Sequence, residues 1–318
     1  MSVYTAVERD ELEAFLATYR VGELDDYQGI SAGIENTNFF VTTSKGHYVL
    51  TLFEQLLPRE IPFFLELTSF LHKGGVPAAN PERNRDDRFL SSLNGKPAAL
   101  VERLSGASVD HPNEAQCAAI GEGLARLHVV GRDFARNRHR VNDRGPRWWR
   151  ATAERVMPEI PADEAAWIRE EMVFQAEHHF PDLPRGLIHA DLFRDNALFE
   201  GDALTGIIDF YYACNSLLLY DLAVLVNDWC VAADGTLDDG RLRALLGGYH
   251  ATRPLSDAER EAWPVMLRAA ALRFWLSRLQ DACFPRPGEM THIKNPDVFR
   301  DILRDRIAQR DWLYAEWV

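Results

Sequence analysis

The positions of apolar residues predict that the first third of the chain forms a small antiparallel β-sheet. Apolar and polar residues alternate over 36–43 and 47–54, and a short polar turn between these runs indicates a hairpin. A second hairpin is indicated over 88–93 and 97–104, because the Asn-Gly pair between them favours a two-residue turn. The segment 59–73 has the period of an amphipathic helix and ends at two glycines. These patterns predict one sheet with one helix against it.

Beyond residue 106 the apolar residues recur every three or four positions, which is typical of helices. Two predicted helices, one at the N-terminus and one late in the chain, follow capping boxes that begin at Thr5 and Ser256. The other predicted helices cover 113–136, 148–157, 162–178, 217–231, 237–250 and 297 to the C-terminus. We therefore predict an α+β fold with two lobes, a strand-rich N-lobe at 1–103 and a mainly helical C-lobe at 104–318.

The most specific feature of the chain is a group of polar residues that lies between two short apolar runs, each read as a strand. His189, Asp191 and Asn196 have the H-x-D-x-x-x-x-N spacing of the catalytic loops of kinases. A hairpin-like segment then leads to Asp209, which is preceded by isoleucines and followed by Phe210. We expect this hairpin to bring Asp209 beside Asn196.

The residue types in this group suit phosphoryl transfer from ATP. Carboxylate and amide oxygens are ligands that Mg²⁺ prefers, so Asn196 and Asp209 are predicted to hold Mg²⁺ on the nucleotide phosphates. Asp191 is predicted to be the general base, or the group that aligns a substrate hydroxyl for in-line attack. His189 is interpreted mainly as a residue that holds the loop, because such a transfer needs no second base.

The bulk composition excludes several classes of protein. A net charge of -13 argues against an extended nucleic-acid surface, and no apolar run approaches the length of a membrane span. The N-terminus lacks the basic start and apolar core of a signal peptide. The four cysteines are scattered, which indicates small buried residues in a reducing compartment. We expect a cytoplasmic protein with small-molecule substrates.

Taken together, the motifs resemble the aminoglycoside phosphotransferase and choline kinase superfamily, which has a protein-kinase-like bilobal fold. The residues that carry this resemblance are His189, Asp191, Asn196, Ile208-Asp209-Phe210 and Asp221-Leu222-Ala223. Within the superfamily, the segments similar to the homoserine kinase branch are 33–40, 49–54, 188–196, 209–213 and 272–279. The resemblance implies a bacterial kinase that uses ATP to convert L-homoserine into O-phospho-L-homoserine, a step of threonine biosynthesis.

The resemblance also implies where the nucleotide binds, in a cleft between the lobes. A loop over 31–38 is expected to cover the phosphates, and its small or polar residues Ser31, Gly33, Asn36 and Asn38 permit close backbone approach. The end of the N-lobe sheet at Glu102 and Leu104 is the expected hinge for adenine, read by backbone groups.

Thr51 departs from the kinase pattern, in which this strand carries a lysine that pairs with the α- and β-phosphates. None of the four lysines lies on this strand. The positive charge is therefore expected from loop amides, from Mg²⁺ or from an arginine, with Arg194 of the catalytic loop as the first candidate.

Homoserine carries an ammonium and a carboxylate, and a planar guanidinium suits the carboxylate. Arg273 and Arg278 flank Trp275 on a predicted helix that the resemblance places near the substrate, although the same pattern suits a packing helix. Further candidates for the substrate pocket are Tyr211, Tyr212 and Asn215. Asp221 is expected to cap its helix, and by resemblance also to brace the catalytic loop.

Three alternatives remain open from the residues. The first is a kinase of the same fold that acts on choline, ethanolamine, a sugar or an aminoglycoside. The second is an ATP-binding pseudokinase, which the absence of lysine at Thr51 supports and the presence of Asp191, Asn196 and Asp209 opposes. The third is a metal hydrolase, which is disfavoured because no cluster of histidines accompanies the aspartates.

Overall fold

The computed structural model describes residues 5–30, 36–285 and 293–315. The chain divides into two compact units. The first runs as far as Gly106 and includes Thr205–Ile208, and the second comprises Ala107–Leu204 and the chain from Asp209 onward.

The first unit is built on a five-stranded antiparallel sheet with the order β1-β2-β3-β5-β4. Its elements are α1 (Arg9–Leu16), β1 (Leu24–Gly29), β2 (Asn36–Thr43), β3 (Gly46–Phe53), α2 (Ile61–Lys73), β4 (Ser91–Leu93) and β5 (Lys96–Glu102). The two predicted hairpins are present, β2 with β3 and β4 with β5. The strand β1 was not predicted, because its sequence is mostly polar and lacks alternation.

The core of the first unit lies between α1 and one face of the sheet. Leu12, Phe15 and Leu16 of α1 join sheet residues that alternate along the strands, namely Phe39, Val41, Leu50, Leu52, Ala98 and Leu100. Since successive residues of a strand point to opposite faces, Asn38 and Thr51 lie on the other face. The predicted cap at Thr5 is wrong, because the capping box of α1 is formed by Glu8 and Glu11.

The second unit is mainly helical. Its helices are α3 (Glu114–Asn137), α4 (Pro146–Val156), α5 (Ala162–Glu177), α6 (Leu218–Trp229), α7 (Asp239–Thr252), α8 (Asp257–Cys283), α9 (Asp297–Ala308) and α10 (Arg310–Ala315). Two of its strands, β6 (Arg185–Ile188) and β9 (Cys214–Leu217), form an antiparallel pair. Strand β7 (Ala197–Glu200) pairs with β8 (Ala203–Ile207), whose residues from Thr205 onward belong to the first unit. The predicted capping box at Ser256 is confirmed at the start of α8.

The helices α3 and α7 approach each other closely because glycines face the partner's backbone. A Cβ atom on Gly121 would lie 2.2 Å from the carbonyl oxygen of Leu245, and one on Gly248 would lie 2.2 Å from that of Ala118. No real Cβ atom tolerates such a distance, so both positions require glycine. Over the ranges covered by the structure, no helix is long and apolar enough to cross a membrane.

Candidate active site

The predicted catalytic loop connects β6 to β7 and begins with an unusual backbone turn. Ala190 has φ +68°, a left-handed conformation that non-glycine residues seldom adopt. This turn directs the N–H groups of His189 and Ala190 to the two carboxylate oxygens of Asp221, each at 2.7 Å. The prediction that Asp221 braces the loop is confirmed, whereas its predicted role as helix cap is wrong because α6 starts at Leu218.

The helix α6 holds the rest of the loop through the same face that carries Asp221. Asp228 accepts a hydrogen bond from the backbone N–H of Arg194 at 2.8 Å, and the indole N–H of Trp229 donates to the Leu192 carbonyl at 3.2 Å. Asp221 and Asp228 lie about two helical turns apart, so both point the same way. A buried helix therefore fixes the loop backbone at several points along its length.

Asp191 and Asn196 meet at the centre of this loop. The side-chain nitrogen of Asn196 donates to the Asp191 carbonyl at 2.8 Å and lies 3.4 Å from the Asp191 carboxylate. With its nitrogen so oriented, Asn196 presents its amide oxygen as an acceptor, which suits a hard cation. The backbone N–H of Asp191 donates to Nδ1 of the fully buried His189 at 3.3 Å, in agreement with a structural role for that histidine.

Asp209 follows β8 and precedes a 3-10 turn at Phe210–Tyr212. Its side chain is exposed, and its backbone is left-handed with φ +61°. Strained backbone of this kind concentrates at functional sites. The convergence of Asp209 and Asn196 on one cation stays a prediction. Among the residues that the structure describes, no three His, Cys, Asp or Glu side chains gather as a metal site.

A buried chain of polar groups extends from Asp221 into the helical core. The ring of His128 on α3 contacts Asp221 through Nε2 at 3.0 Å and the Tyr249 hydroxyl through Nδ1 at 2.7 Å. Arg253 donates to the Tyr249 oxygen at 3.1 Å and forms an ion pair with Glu259 at 2.9 Å. These polar side chains are fully or nearly fully buried. Together they connect the start of α8 with the catalytic loop.

The direction of these hydrogen bonds follows from the protonation state of His128. Burial lowers the pKa of His128, although the adjacent Asp221 acts in the opposite direction. A neutral ring carries one proton, and the Asp221 carboxylate requires it on Nε2. Nδ1 then accepts from the Tyr249 hydroxyl, whose oxygen accepts from Arg253. We did not expect this role for His128, which in the sequence forms part of an apolar stripe; a polar residue within such a stripe is the only signal.

The predicted substrate residue Arg273 lies beside the catalytic loop. Its Nη1 atom is 3.6 Å from the Asp191 carboxylate, and its guanidinium lies 5.5 Å from the centre of the Tyr212 ring. Only 4% of Arg273 is exposed, and within the described ranges its buried Nε atom has no hydrogen-bond partner. A buried donor without a hydrogen-bond partner lowers the stability of the fold, and such donors occur at functional sites.

The other predicted substrate residues have different surroundings. Trp275 is fully buried and packs on Trp167, with ring centres 5.1 Å apart. Arg278 donates to the carbonyl of Asn295 at 2.9 Å. The amide oxygen of Asn215 accepts from the backbone N–H of Arg140 at 2.8 Å. The half-buried Tyr211 and Tyr212 occupy the 3-10 turn after Asp209.

Arg194 was the first candidate to replace the missing lysine, and the structure gives its guanidinium other partners. Its Nε atom donates to Asp228 at 3.1 Å, and its Nη1 atom donates to the carbonyl of Asp110 at 2.5 Å. These contacts tie the catalytic loop to the Asp228 carboxylate of α6 and to the backbone at Asp110. They favour a structural role for Arg194, and its predicted contact with phosphate stays untested.

The predicted nucleotide residues belong to the first unit. Thr51, in the place of the lysine, donates to the amide oxygen of its cross-strand partner Asn38 at 2.8 Å. Asn36 is buried at the start of β2, and Glu102 and Leu104 lie at and beyond the end of β5. Ser31 and Gly33 lie outside the described residues. The contacts of these residues with a nucleotide stay predictions.

The chain is similar to known phosphotransferases along most of its length. A model of the phosphotransferase enzyme family matches residues 26–255. A homoserine kinase of Methylobacillus flagellatus is 51% identical over 100% of this chain and 99% of its own length. One from Neisseria meningitidis serogroup B is 46% identical over 95% of this chain and 99% of its own length.

Solved structures of small-molecule kinases share the fold at low sequence identity. A spectinomycin phosphotransferase, determined with ADP and spectinomycin, superposes with a TM-score of 0.71 at 12% identity, over 96% of this chain and 99% of that chain. An amicoumacin kinase gives a TM-score of 0.68 at 17% identity, over 96% of this chain and 94% of that chain. The predicted α+β, protein-kinase-like fold is thereby confirmed. With this fold, this loop geometry and relatives of this identity, the chain belongs to the phosphotransferase enzyme family and, within it, to the homoserine kinases.

Proposed function

We propose that the protein transfers the γ-phosphate of ATP to the hydroxyl group of L-homoserine, which yields O-phospho-L-homoserine for threonine biosynthesis. The observation that supports this most directly is the braced loop in which Asp191 lies between Asn196 and Arg273. A carboxylate held on a rigid backbone is suited to orient a hydroxyl group, and the adjacent guanidinium suits an anionic substrate.

In the proposed reaction, one oxygen of the Asp191 carboxylate accepts the hydrogen bond of the substrate hydroxyl and aligns its oxygen with the γ-phosphorus. The bond between this oxygen and phosphorus forms as the bond from phosphorus to the bridging oxygen breaks, and ADP leaves with the electron pair. The hydroxyl proton passes to Asp191. Because an alcohol is a weak acid, alignment contributes more than early proton removal.

Asn196 and Asp209 are the residues that would hold Mg²⁺. The amide oxygen of Asn196 and the exposed carboxylate of Asp209 are both hard donors, so the residues fit the ion. When bound, Mg²⁺ neutralises negative charge on the phosphate oxygens. The chain's own contribution is the orientation of Asn196, which its hydrogen bond to the Asp191 carbonyl sets.

An assay of ADP release tests the proposal with L-homoserine, choline, ethanolamine and an aminoglycoside as acceptors. We expect turnover with homoserine that greatly exceeds turnover with the others. The variant Asp191→Ala should lower kcat by about 10³-fold while the affinity for Mg-ATP, measured by calorimetry, stays nearly unchanged.

Asp195→Asn is the matched control, because this exposed carboxylate of the same loop pairs with Lys294 at the surface. We expect it to retain wild-type turnover. Turnover of choline without turnover of homoserine would overturn the assigned substrate, and a fully active Asp191→Ala variant would overturn the assigned role of Asp191.

A further inference from the structure

We propose that Arg144 recognises the carboxylate of the substrate and thereby determines specificity for an amino-acid alcohol. This inference rests on the proposed function and adds to it a residue that the sequence did not single out. It concerns the segment that precedes α4, which lies against the 3-10 turn at Phe210–Tyr212.

The guanidinium of Arg144 lies 5.6 Å from the centre of the Tyr212 ring and 4.8 Å from that of Trp148. Arg273 lies at 5.5 Å from the same Tyr212 ring. One aromatic ring thus has two guanidinium groups beside it, and one of these, Arg273, reaches the Asp191 carboxylate at 3.6 Å. Arg144 is therefore connected to the catalytic carboxylate through the Tyr212 ring and Arg273.

The two arginines differ in how far their charge is already compensated. Arg273 is nearly enclosed and contacts Asp191. Arg144 is half-buried, and across the described ranges neither an ion pair nor a side-chain hydrogen bond occupies its guanidinium. Aromatic faces stabilise a cation without neutralising it. Arg144 is consequently the more available of these two cations for a substrate anion.

The backbone of Arg144 is held firmly, which prepares its side chain for binding. Its N–H donates to the side chain of Asn142 at 2.9 Å, and its carbonyl accepts from the indole N–H of Trp149 at 2.6 Å. The same segment is fixed to β9 where Asn215 accepts from the backbone N–H of Arg140 at 2.8 Å. A preorganised cation loses little entropy when it binds an anion.

The size of homoserine fits this arrangement. Its hydroxyl oxygen and carboxylate carbon are separated by four bonds, or roughly 5 Å when extended. With the hydroxyl at Asp191, we infer that the carboxylate points toward Arg273 and the Tyr212 ring beside it. A fork-shaped guanidinium beside Tyr212 is suited to bind it through paired hydrogen bonds.

The test compares homoserine with 3-aminopropan-1-ol, which has the same hydroxyl and ammonium groups but no carboxylate. For Arg144→Gln we expect kcat/KM for homoserine to fall about 30- to 100-fold, mainly through KM, because a charge-assisted contact is lost. The kcat/KM for 3-aminopropan-1-ol should stay unchanged. Where turnover of this alcohol is too slow to measure, its inhibition constant should stay unchanged. The ratio of kcat/KM for homoserine to that for 3-aminopropan-1-ol then falls by the same factor.

Arg147→Gln is the matched control, since this arginine lies three positions further along and is exposed. It should preserve the preference for homoserine. Arg144→Lys keeps the charge without the fork, and we expect an intermediate KM for homoserine; this variant decides the question where Arg144→Gln does not fold.

An equal loss of kcat/KM for both alcohols in the Arg144 variants, or no loss for homoserine, would overturn the inference. The failure of the proposed function looks different, because the wild-type protein itself would then not phosphorylate homoserine. The two failures are therefore distinguishable in a single set of assays.

Discussion

At the scale of single residues, Asp221 connects the candidate site to the helical core through three hydrogen bonds. Its two carboxylate oxygens accept from the N–H groups of His189 and Ala190 and from the His128 ring. The residue is completely buried, so all three bonds form in an environment of low dielectric constant. Three donors converge on one side chain, and only an acceptor with two equivalent oxygens accommodates them.

We expect Asp221→Asn to destabilise the protein by about 2–4 kcal/mol, because an amide offers one oxygen and directs its N–H₂ at a backbone donor. The catalytic loop should lose its alignment, so kcat should fall by more than about tenfold while the KM for ATP changes little. Chemical denaturation and steady-state kinetics measure the two effects.

Asp228→Asn provides the comparison, because Asp228 is less buried and, in the described part of the chain, accepts hydrogen bonds from Arg194 alone. The loss of stability and of kcat in Asp228→Asn should be clearly smaller than in Asp221→Asn. Equal stability of the Asp221→Asn variant and the wild-type protein would contradict the account of the brace.

At the level of elements, the contact between α3 and α7 places His128 against Tyr249. The glycines Gly121 and Gly248 permit this contact, since each faces a backbone carbonyl of the other helix. Close approach sets the distance of 2.7 Å between Nδ1 of His128 and the Tyr249 hydroxyl. The polar chain that reaches the catalytic loop therefore depends on two residues without side chains.

We expect Gly248→Ala to destabilise the protein by about 2–4 kcal/mol, because its Cβ atom forces two helices apart. Gly247→Ala is a matched control on the same helix, where a Cβ atom meets nothing within 4 Å. There the substitution should stabilise the protein by about 0.5–1 kcal/mol through higher helix propensity. Urea denaturation measures both, and equal effects at the two glycines would refute the packing argument.

For the whole molecule, the buried His128 links folding to pH. Burial lowers its pKa below the ordinary value of 6.5 in the folded protein. The unfolded chain therefore binds a proton near that pH that the folded protein does not bind. By linkage, the free energy of unfolding falls as the pH decreases below 6.5, by up to about 1.4 kcal/mol per pH unit for one proton.

Urea denaturation between pH 7.5 and 5.5 tests this, with His128→Gln as the variant that removes the titrating group. We expect its free energy of unfolding to depend less on pH than that of the wild-type protein. His111→Gln, at an exposed position, should keep the wild-type dependence. Identical slopes for His128→Gln and wild type would show that His128 does not contribute.

Local patterns predicted most elements well, since they depend on neighbours close in sequence. The strand β2 and the start of α5 coincide with their predicted bounds, and most other helix ends shift by one or two residues. The single helix predicted from residue 297 onward is wrong, because the structure has two helices there, α9 and α10. The short strand β9 was missed, because four residues carry too little periodicity. The first helix is capped at Glu8 and not at the predicted Thr5, since Glu8 and Glu11 form an equivalent capping box.

By itself, the amino-acid sequence determined the α+β class, the order of helices and strands, and the catalytic motif, because side-chain periodicity and loop spacing are properties of short stretches. Only the tertiary structure decided which distant groups meet. The pairing of His128 with Asp221 and Tyr249, and of Arg144 with Tyr212, joins residues on different elements. Burial and helix packing select such partners, and neither leaves a repeating signal along the chain.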